Sequence, residues 1–469
     1  MIVSWIMLRR VGKPFLARCI ILPSIYLCCG IFLLGVSGSA SAEGETASNA
    51  KNPELRLSLR DAMKAAVDEN PNVQLLKERI TQAEDQAFTQ LGAMLPNVSA
   101  TASAARRRFF LGSFAGGAGV SSPRDFYETR VSLTQNIFSL SPIQKWRAAR
   151  TNIEVSNLDS KTTKMDTMAI VGLAYLETLR AQAAVEARLA DVKLNNELLR
   201  LAVARKYAGM ATSLDVTRAE VQLESEKQRL LVARNEDDRS KLNLIRAIGL
   251  SFKVNLVLTD ELKIQKIPEQ TIEEALQIAT ENRVELKAQE RRERLAELSL
   301  SSVTMERVPS LSGSGNVGMI GSQIPDALTT DNVQLLFSIP IFDGGQREGR
   351  ISESRSLVRQ ENIRTRNIKY QVALEVRDAL LTLGSTQQQV AVAQEGLRLS
   401  LKELNFASQR FSVGVATNVE VTDAQTALAQ ARDNLIEALF NFNASRAVSY
   451  THLRAHETRH DLVCRLLLE

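Results

Sequence analysis

Cysteine and histidine supply most of a protein's nucleophiles, imidazole bases and soft metal ligands, and in this 469-residue chain they occur only near its two ends. Cys19, Cys28 and Cys29 lie at the start; His452, His456, His460 and Cys464 lie at the finish. The long stretch between them has no disulfide, thiolate nucleophile, Cys/His metal site, Ser-His-Asp triad or imidazole base. Two facing carboxylates can hydrolyse a glycosidic bond unaided, but the acids here form no pocket-like pairing along the sequence. Catalysis and cofactors are therefore not expected, and charged groups must act through where the fold places them.

Both ends are set aside before composition is interpreted. Arg9, Arg10, Lys13 and Arg18 precede an apolar run over residues 19–36, and Ala40-Ser41-Ala42 provides small residues for cleavage, so residues 1–42 are expected to be a secretory signal. A membrane-anchoring helix is the alternative, which Pro23 disfavours; neither Cys28 nor Cys29 follows a small residue as lipidation requires. Residues 449–469 depart from the pattern before them, and the string from Ser449 to His460 resembles translated sequencing adapter rather than a metal-binding His tract. The chain carries 58 Lys and Arg against 53 Asp and Glu, and most of the excess sits in the expected signal. The remainder is near neutral and gives no argument for nucleic-acid binding.

That remainder is written twice. Residues 59–99 match residues 272–312 without a gap, pairing Ala62, Ala66, Arg79, Ala83, Glu84, Pro96 and Ser99 with Ala275, Ala279, Arg292, Ala296, Glu297, Pro309 and Ser312. Further on, Gln135-Asn136-Ile137-Phe138 answers Ile339-Pro340-Ile341-Phe342, and Gly209-Met210-Ala211-Thr212 answers Gly414-Val415-Ala416-Thr417. The expected organisation is an N-terminal linker (43–58), a first repeat (59–250), a linker (251–270) and a second repeat (271–448).

Each repeat is expected to hold a leading helix, two strands and a long helical hairpin. From Pro142 to Tyr207 there is no further proline and one glycine, Gly172; at ~1.5 Å per residue such a helix approaches ~100 Å. Leu173, Leu176, Leu179, Ala183, Ala187, Ala190, Leu194, Leu198 and Leu201 advance by three or four residues and average 3.5, the coiled-coil period. Leu380, Leu383, Gln387, Val390, Gln394, Leu397, Leu401 and Leu404 repeat that spacing, with two glutamines in the seam. Gly209 and Gly414 permit the left-handed turn that closes each helix. Thr212 or Ser213, and Thr417 or Asn418, can cap the returning helices, 215–249 and 420–448. Tyr207 and Phe411 are expected to pack as apolar plugs of the tips, and the 224–227 face to be solvated.

Tyr127, Thr129, Val131, Leu133 and Ile137 alternate with Glu128, Arg130, Ser132, Thr134 and Asn136; Val333, Leu335, Phe337, Ile339 and Ile341 alternate with polar neighbours. Each reads as a strand with one apolar and one polar face. Partner strands are expected over 98–110 and 311–320, joined by turns at 111–123 and 321–331. About ten residues is the length a tilted strand needs to cross a bilayer, and an apolar-out, polar-in wall suits an outer-membrane barrel. Four strands cannot close such a barrel, so several chains are expected to share one. Trp146, just beyond a strand end, is either an interfacial anchor or an ordinary packing residue.

Leu95-Pro96-Asn97-Val98-Ser99, Ser338-Ile339-Pro340-Ile341-Phe342-Asp343-Gly344-Gly345 and the run from Phe411 to Gln425 resemble TolC family outer membrane efflux proteins, over roughly residues 55–448. The resemblance implies a mainly α protein with a transmembrane β part. Its coiled-coil hairpins would form a periplasmic α-barrel, and four strands per chain would build a twelve-stranded outer-membrane β-barrel in a homotrimer. It implies a passive exit duct of a tripartite efflux system, docked on a periplasmic adaptor and an inner-membrane pump, set in outer-membrane lipid and extending into the periplasm. A type I secretion channel is the variant within the class, and a periplasmic adaptor or structural coiled-coil protein the alternative outside it.

Family members narrow the tunnel near the hairpin turns with acids, which by motif correspond to Asp215, Glu420 and Asp423. Symmetry would make each a ring of carboxylates favouring cations and loosened by protonation; helix capping is the simpler role. Ala416 stands where a basic residue would help lock the entrance, and Arg218 is the expected substitute lock, opposite Asp423. Tyr207, Gly209, Thr212, Phe411, Gly414 and Thr417 mark the tips where an adaptor would meet the channel.

Overall fold

The computed structural model describes residues 54–109, 119–264 and 271–453, with side chains as far as Ser449. The expected signal (1–42), most of the first linker, the centre of the first strand turn and residues 454–469 lie outside the described residues, as does the His452 side chain.

In chain order the elements are β1 (Glu54–Leu57), α1 (Leu59–Glu69), α2 (Pro71–Gly92), β2 (Asn97–Arg107), β3 (Arg124–Phe138), α3 (Leu140–Tyr207), α4 (Ser213–Ile248), β4 (Asn255–Leu258), α5 (Ile272–Asn282), α6 (Val284–Thr304), β5 (Ser310–Gly321), β6 (Leu328–Ser338), α7 (Gln346–Ser412) and α8 (Asn418–Leu453). The same order of elements occurs twice, and the two long helices span 68 and 67 residues.

Four expectations about local structure need correction. Each leading helix is broken in two. Pro71 has no N–H to continue α1 and restricts Asn70 to extended backbone; Asn70 then caps α2 by accepting from Asn72 N (2.8 Å) and donates to Ala247 O (2.7 Å). In the second repeat Arg283 takes the same extended conformation, and its buried guanidinium reaches Glu375 (2.5 Å). The two linkers also hold a strand each, β1 pairing parallel with β4. Leu57, Leu256 and Leu258 enter a core with Ala62, Met63, Val171, Leu244 and Ile248. Asp260 ties that junction, accepting from Leu59 N (2.7 Å) and Tyr175 Oη (2.8 Å). Four-residue strands are too short to show a period-two signal. Finally, β6 stops at Ser338, leaving Ile339 and Ile341 outside the strand beside Pro340, which cannot donate to a ladder. The turn before β6 is shorter than expected, since β5 runs through Gly321 and β6 begins at Leu328.

The larger sheet is antiparallel throughout, in the order β2-β3-β5-β6. Its register aligns Val98, Leu133, Gly315 and Val333 in one row, with Ala100, Val131, Val317 and, towards the turn end of β6, Asp331 in the next on the same face. The opposite face aligns Ser99, Ser132, Asn316 and Asn332, and then Thr101, Arg130, Gly318 and Thr330. Arg130 crosses that polar face, pairing with Glu128 (2.7 Å) and donating to Asn316 and to Thr330 Oγ1 (3.5 Å). Val131, Leu133, Val317, Val333 and Leu335 on the other face are exposed. Among the described residues no helix is long and apolar enough to cross a membrane.

Coiled-coil spacing holds in both hairpins, with changed membership. In α7 the buried line runs Val372, Val376, Ala379, Leu383, Thr386, Val390, Leu404, Ala407 and Phe411, while Gln387 and Gln394 lie exposed one position aside. In α3 Leu176 and Leu179 are buried, but Ala190 is exposed and its neighbour Asp191, with Asn195, is buried instead. The polar pair is buried because α3 there faces the second hairpin as well as α4, and charges on α8 meet it.

Candidate functional site

The two hairpin tips form the candidate site. Both long helices end alike. Gly209 (φ +73°) and Gly414 (φ +83°) take the left-handed conformation that L side chains resist. Met210 N then returns to Arg205 O (2.8 Å), and Val415 N to Arg410 O (3.0 Å), satisfying carbonyls at each helix end.

The turn into α4 is a capping box. Thr212 Oγ1 accepts from Asp215 N (3.3 Å) while Asp215 Oδ2 accepts from Thr212 N (2.9 Å) and Thr212 Oγ1 (2.7 Å). Of Thr212 and Ser213, Thr212 is thus the cap. The Thr212 hydrogen bonds, helped by the nearby Arg218 and Arg205 charges, hold the Asp215 carboxyl below its ordinary pKa. Asp215 thus commits one carboxylate oxygen, Oδ2, to the cap, and its backbone carbonyl accepts from Asn418 Nδ2 (3.2 Å), a link between the two tips.

Arg205 makes the second such link. Its guanidinium lies over the Phe411 ring at 4.1 Å and donates to the Phe411 carbonyl. It is a cation placed at the C-terminal end of another helix, where carbonyls lack intrahelical partners. Phe411 is buried among Leu404, Ala407, Val421, Ala424 and Leu428, and α3 adds Leu194, Leu198 and Leu201 from the other hairpin. Phe411 packs as expected, whereas Tyr207 does not: it is 88% exposed. It stands two residues before Gly209, whereas Phe411 stands three before Gly414, so Tyr207 occupies the place of exposed Ser412 and turns away from the seam.

The remaining candidates are more open. Glu420 pairs with Arg410 at 3.6 Å. Asp423, Arg218 and Thr417 are exposed, and among the described residues none forms an ion pair or side-chain hydrogen bond within the chain. Met210, Val413 and Val415 add exposed apolar surface beside Gly209 and Gly414. No group of carboxylates, histidines or cysteines among the described residues is arranged to hold a metal.

About 24 Å above the tips, counted along α3, lies a charge cluster that sequence reading did not find. Asp191 is 4% exposed and meets Arg188 (3.1 Å) and Arg432; Arg188 also pairs with Asp433, and Arg180 with Glu437 (2.8 Å). Except for Arg188–Asp191, which lies within α3, these pairs join α3 to α8, one hairpin to the other. Beside them Glu226 of α4 is 2% exposed, against the expected solvated face at 224–227. Glu226 Oε1 accepts from Arg229 (2.8 Å) and Gln222 (3.2 Å), but Oε2 has no partner, and burial raises its pKa. The signal in sequence was charge placed at seam spacing: Asp191 and Asn195 stand three residues before Leu194 and Leu198. Helical hairpins of this length, carrying a four-stranded sheet with one apolar and one polar face, define a channel subunit of the outer membrane.

The model of the outer membrane efflux protein family matches residues 62–250 and 275–448, and the chain belongs to that family. It is an outer-membrane efflux channel protein that extends into the periplasm. Outer membrane protein TolC of Escherichia coli K12 is 22% identical over 434 residues, covering 88% of this chain and 82% of that protein. The pyoverdine export outer membrane protein OpmQ of Pseudomonas aeruginosa is 22% identical over 372 residues, covering 76% and 77%. Among solved structures, the Campylobacter jejuni CmeC outer membrane channel superposes with a TM-score of 0.74 at 16% identity, covering 95% of this chain and 97% of that one. The open state of the Neisseria gonorrhoeae MtrE channel gives 0.72 at 18% identity, covering 86% and 90%. These structural likenesses establish the fold.

Proposed function

We propose that three copies of this chain close one twelve-stranded barrel and one periplasmic helical tunnel, forming the passive exit duct of a tripartite exporter. The observation that carries this reading is the four-stranded sheet: its β2 and β6 edges pair with no strand among the described residues, and its exposed apolar face demands lipid. An open edge in hydrocarbon leaves backbone groups unsatisfied, at several kcal/mol each; pairing β6 of one copy with β2 of the next removes every edge.

In this reading a periplasmic adaptor, itself bound to an inner-membrane pump, meets the tips around Tyr207, Gly209, Thr212, Phe411, Gly414 and Thr417. Asp423 and Glu420, repeated by symmetry, give the entrance a negative field that favours cations. Asp215 serves chiefly as a cap, and Arg205, rather than Arg218 alone, holds the two tips of one subunit together. Relatives named for pyoverdine, toluene and antibiotic efflux make small molecules the favoured cargo class. The reading is tested by fractionating cells that express the chain and weighing the detergent-extracted particle. A heat-labile trimer in the outer membrane supports it; a soluble monomer or dimer in the periplasm overturns it and favours an adaptor-like role.

A further inference from the structure

We infer that the first turns of α3 bind the anionic headgroups of phospholipids in the membrane leaflet facing the periplasm. The inference rests on the outer-membrane barrel proposed above and adds a lipid site to it. Lys145, Arg147 and Arg150 are exposed, and among the described residues none of them has an ion-pair partner. The first acid of α3, Glu154, is occupied by Arg291 at 3.3 Å.

The second repeat shows what a neutralised version of the same place looks like. Around the start of α7, Arg307 pairs with Glu348 (2.6 Å), Arg350 with Glu306 (2.7 Å) and Arg347 with Asp343 (3.5 Å). One helix start is thus balanced and the other keeps three cations without an acid partner among the described residues, although both follow strands of one sheet.

Depth supports a membrane partner. β3 ends at Phe138 and α3 begins at Leu140, so the cations lie five to ten residues into the helix. That is ~7–15 Å below the sheet, against a headgroup layer ~5–8 Å thick on each side of the hydrocarbon, a difference that long Lys and Arg side chains span by reaching back. Exposed Ile137, Phe138, Phe337 and Phe342 form the apolar belt at the same end of the sheet. Trp146 follows, half-buried, with the Arg150 guanidinium 5.2 Å from its ring centre. Apolar belt, aromatic ring and cations in that order are the sequence of environments at a membrane surface. Arg150 also stands across the helix from buried Ser141, Ala148 and Val155, so it projects away from the face that α3 buries most deeply.

The test uses the purified full chain in nanodiscs of phosphatidylcholine alone or of phosphatidylcholine and phosphatidylglycerol in equal parts. Retained lipids are counted by native mass spectrometry, and the heat resistance of the oligomer is followed. The wild type is expected to retain phosphatidylglycerol preferentially and to resist heat better in the mixed discs. A K145Q/R147Q/R150Q variant is expected to lose both effects, since each cation is worth about fivefold in attraction to an anionic surface. R350Q, in the balanced collar, is expected to keep them. If the triple variant does not assemble, R147Q and R150Q singly are expected to show intermediate losses. Equal behaviour of the wild type in the two lipids overturns the inference, as does an unchanged lipid preference in the variants. So does a shift in the channel's ion selectivity without a change in lipid retention, which would place the cations in the lumen. Failure of the wild type to form any membrane oligomer would instead sink the channel reading itself.

Discussion

Arg205 and Glu226 are the residues whose roles depend most on packing. Removing the Arg205 side chain strips a cation–π contact and a charge-assisted hydrogen bond from the junction of the tips, together about 2 kcal/mol. Arg205→Ala is therefore expected to raise the resting conductance of single channels in planar bilayers, and to do so more than Arg218→Ala, because Arg218 makes no ion pair within the chain among the described residues. Equal effects of the two substitutions would show that the tips are held elsewhere. Glu226 is a buried acid whose pKa lies above its usual 4.5 because burial penalises its charge. The folded state then binds the proton more tightly than the unfolded chain, so this group stabilises the hairpins as pH falls through the raised pKa toward 4.5 and destabilises them above it. Glu226→Gln, which removes the buried charge and keeps the shape, is expected to raise heat resistance at neutral pH and to flatten the pH dependence between neutrality and pH ~5. Circular dichroism melts at the two pH values decide it.

At the scale of elements, the hairpins owe their stiffness to a seam and their ends to caps. Thr212→Ala removes the capping box of α4 at a cost of about 1 kcal/mol, and is expected to speed amide exchange over residues 213–216 while leaving the mid-helix seam protected. Asp215 works in the opposite pH sense to Glu226: its depressed pKa means that the cap is intact above the usual 3.8 and is lost as pH falls through the lower folded value. Between the hairpins, apolar packing by Leu194, Leu198 and Leu201 is flanked by Arg205 below and by the Arg188–Asp191–Arg432–Asp433 network above. A buried charge network contributes little net stability, since desolvation offsets attraction. It does penalise a slipped register, because one step along either helix would part Asp191 from Arg432 and Arg188 from Asp433, leaving Asp191 with Arg188 of its own helix alone.

For the molecule as a whole, the decisive surface is the exposed apolar face of the sheet. Val333 on that face is 84% exposed, and a lysine there at mid-bilayer costs about 2–4 kcal/mol. Val333→Lys is expected to reduce the heat-labile trimer recovered from outer membranes, whereas Asn332→Lys, on the polar face, is expected to be tolerated. Similar losses from both would indicate that the sheet is not set in lipid as proposed.

Periodicity made most of this protein legible. The 3.5-residue spacing announced the long helices, the alternation around Leu133 and Phe337 announced the strands, and the repeated glycines at 209 and 414 announced the tips, because each follows from local backbone geometry. The sequence could not show which residues meet across the two repeats. Burial of Asp191 and Glu226, Arg205 lying on Phe411, and the pairing of β1 with β4 all join positions far apart in the chain, and no period carries that information. Tyr207 shows the same limit in reverse: an aromatic at a helix end reads as a plug, yet one position out of phase with Phe411 it turns to solvent. Local geometry was fixed by residue type and spacing, while the partners of charged and aromatic side chains were decided by how two nearly identical hairpins pack, which only the tertiary structure determines.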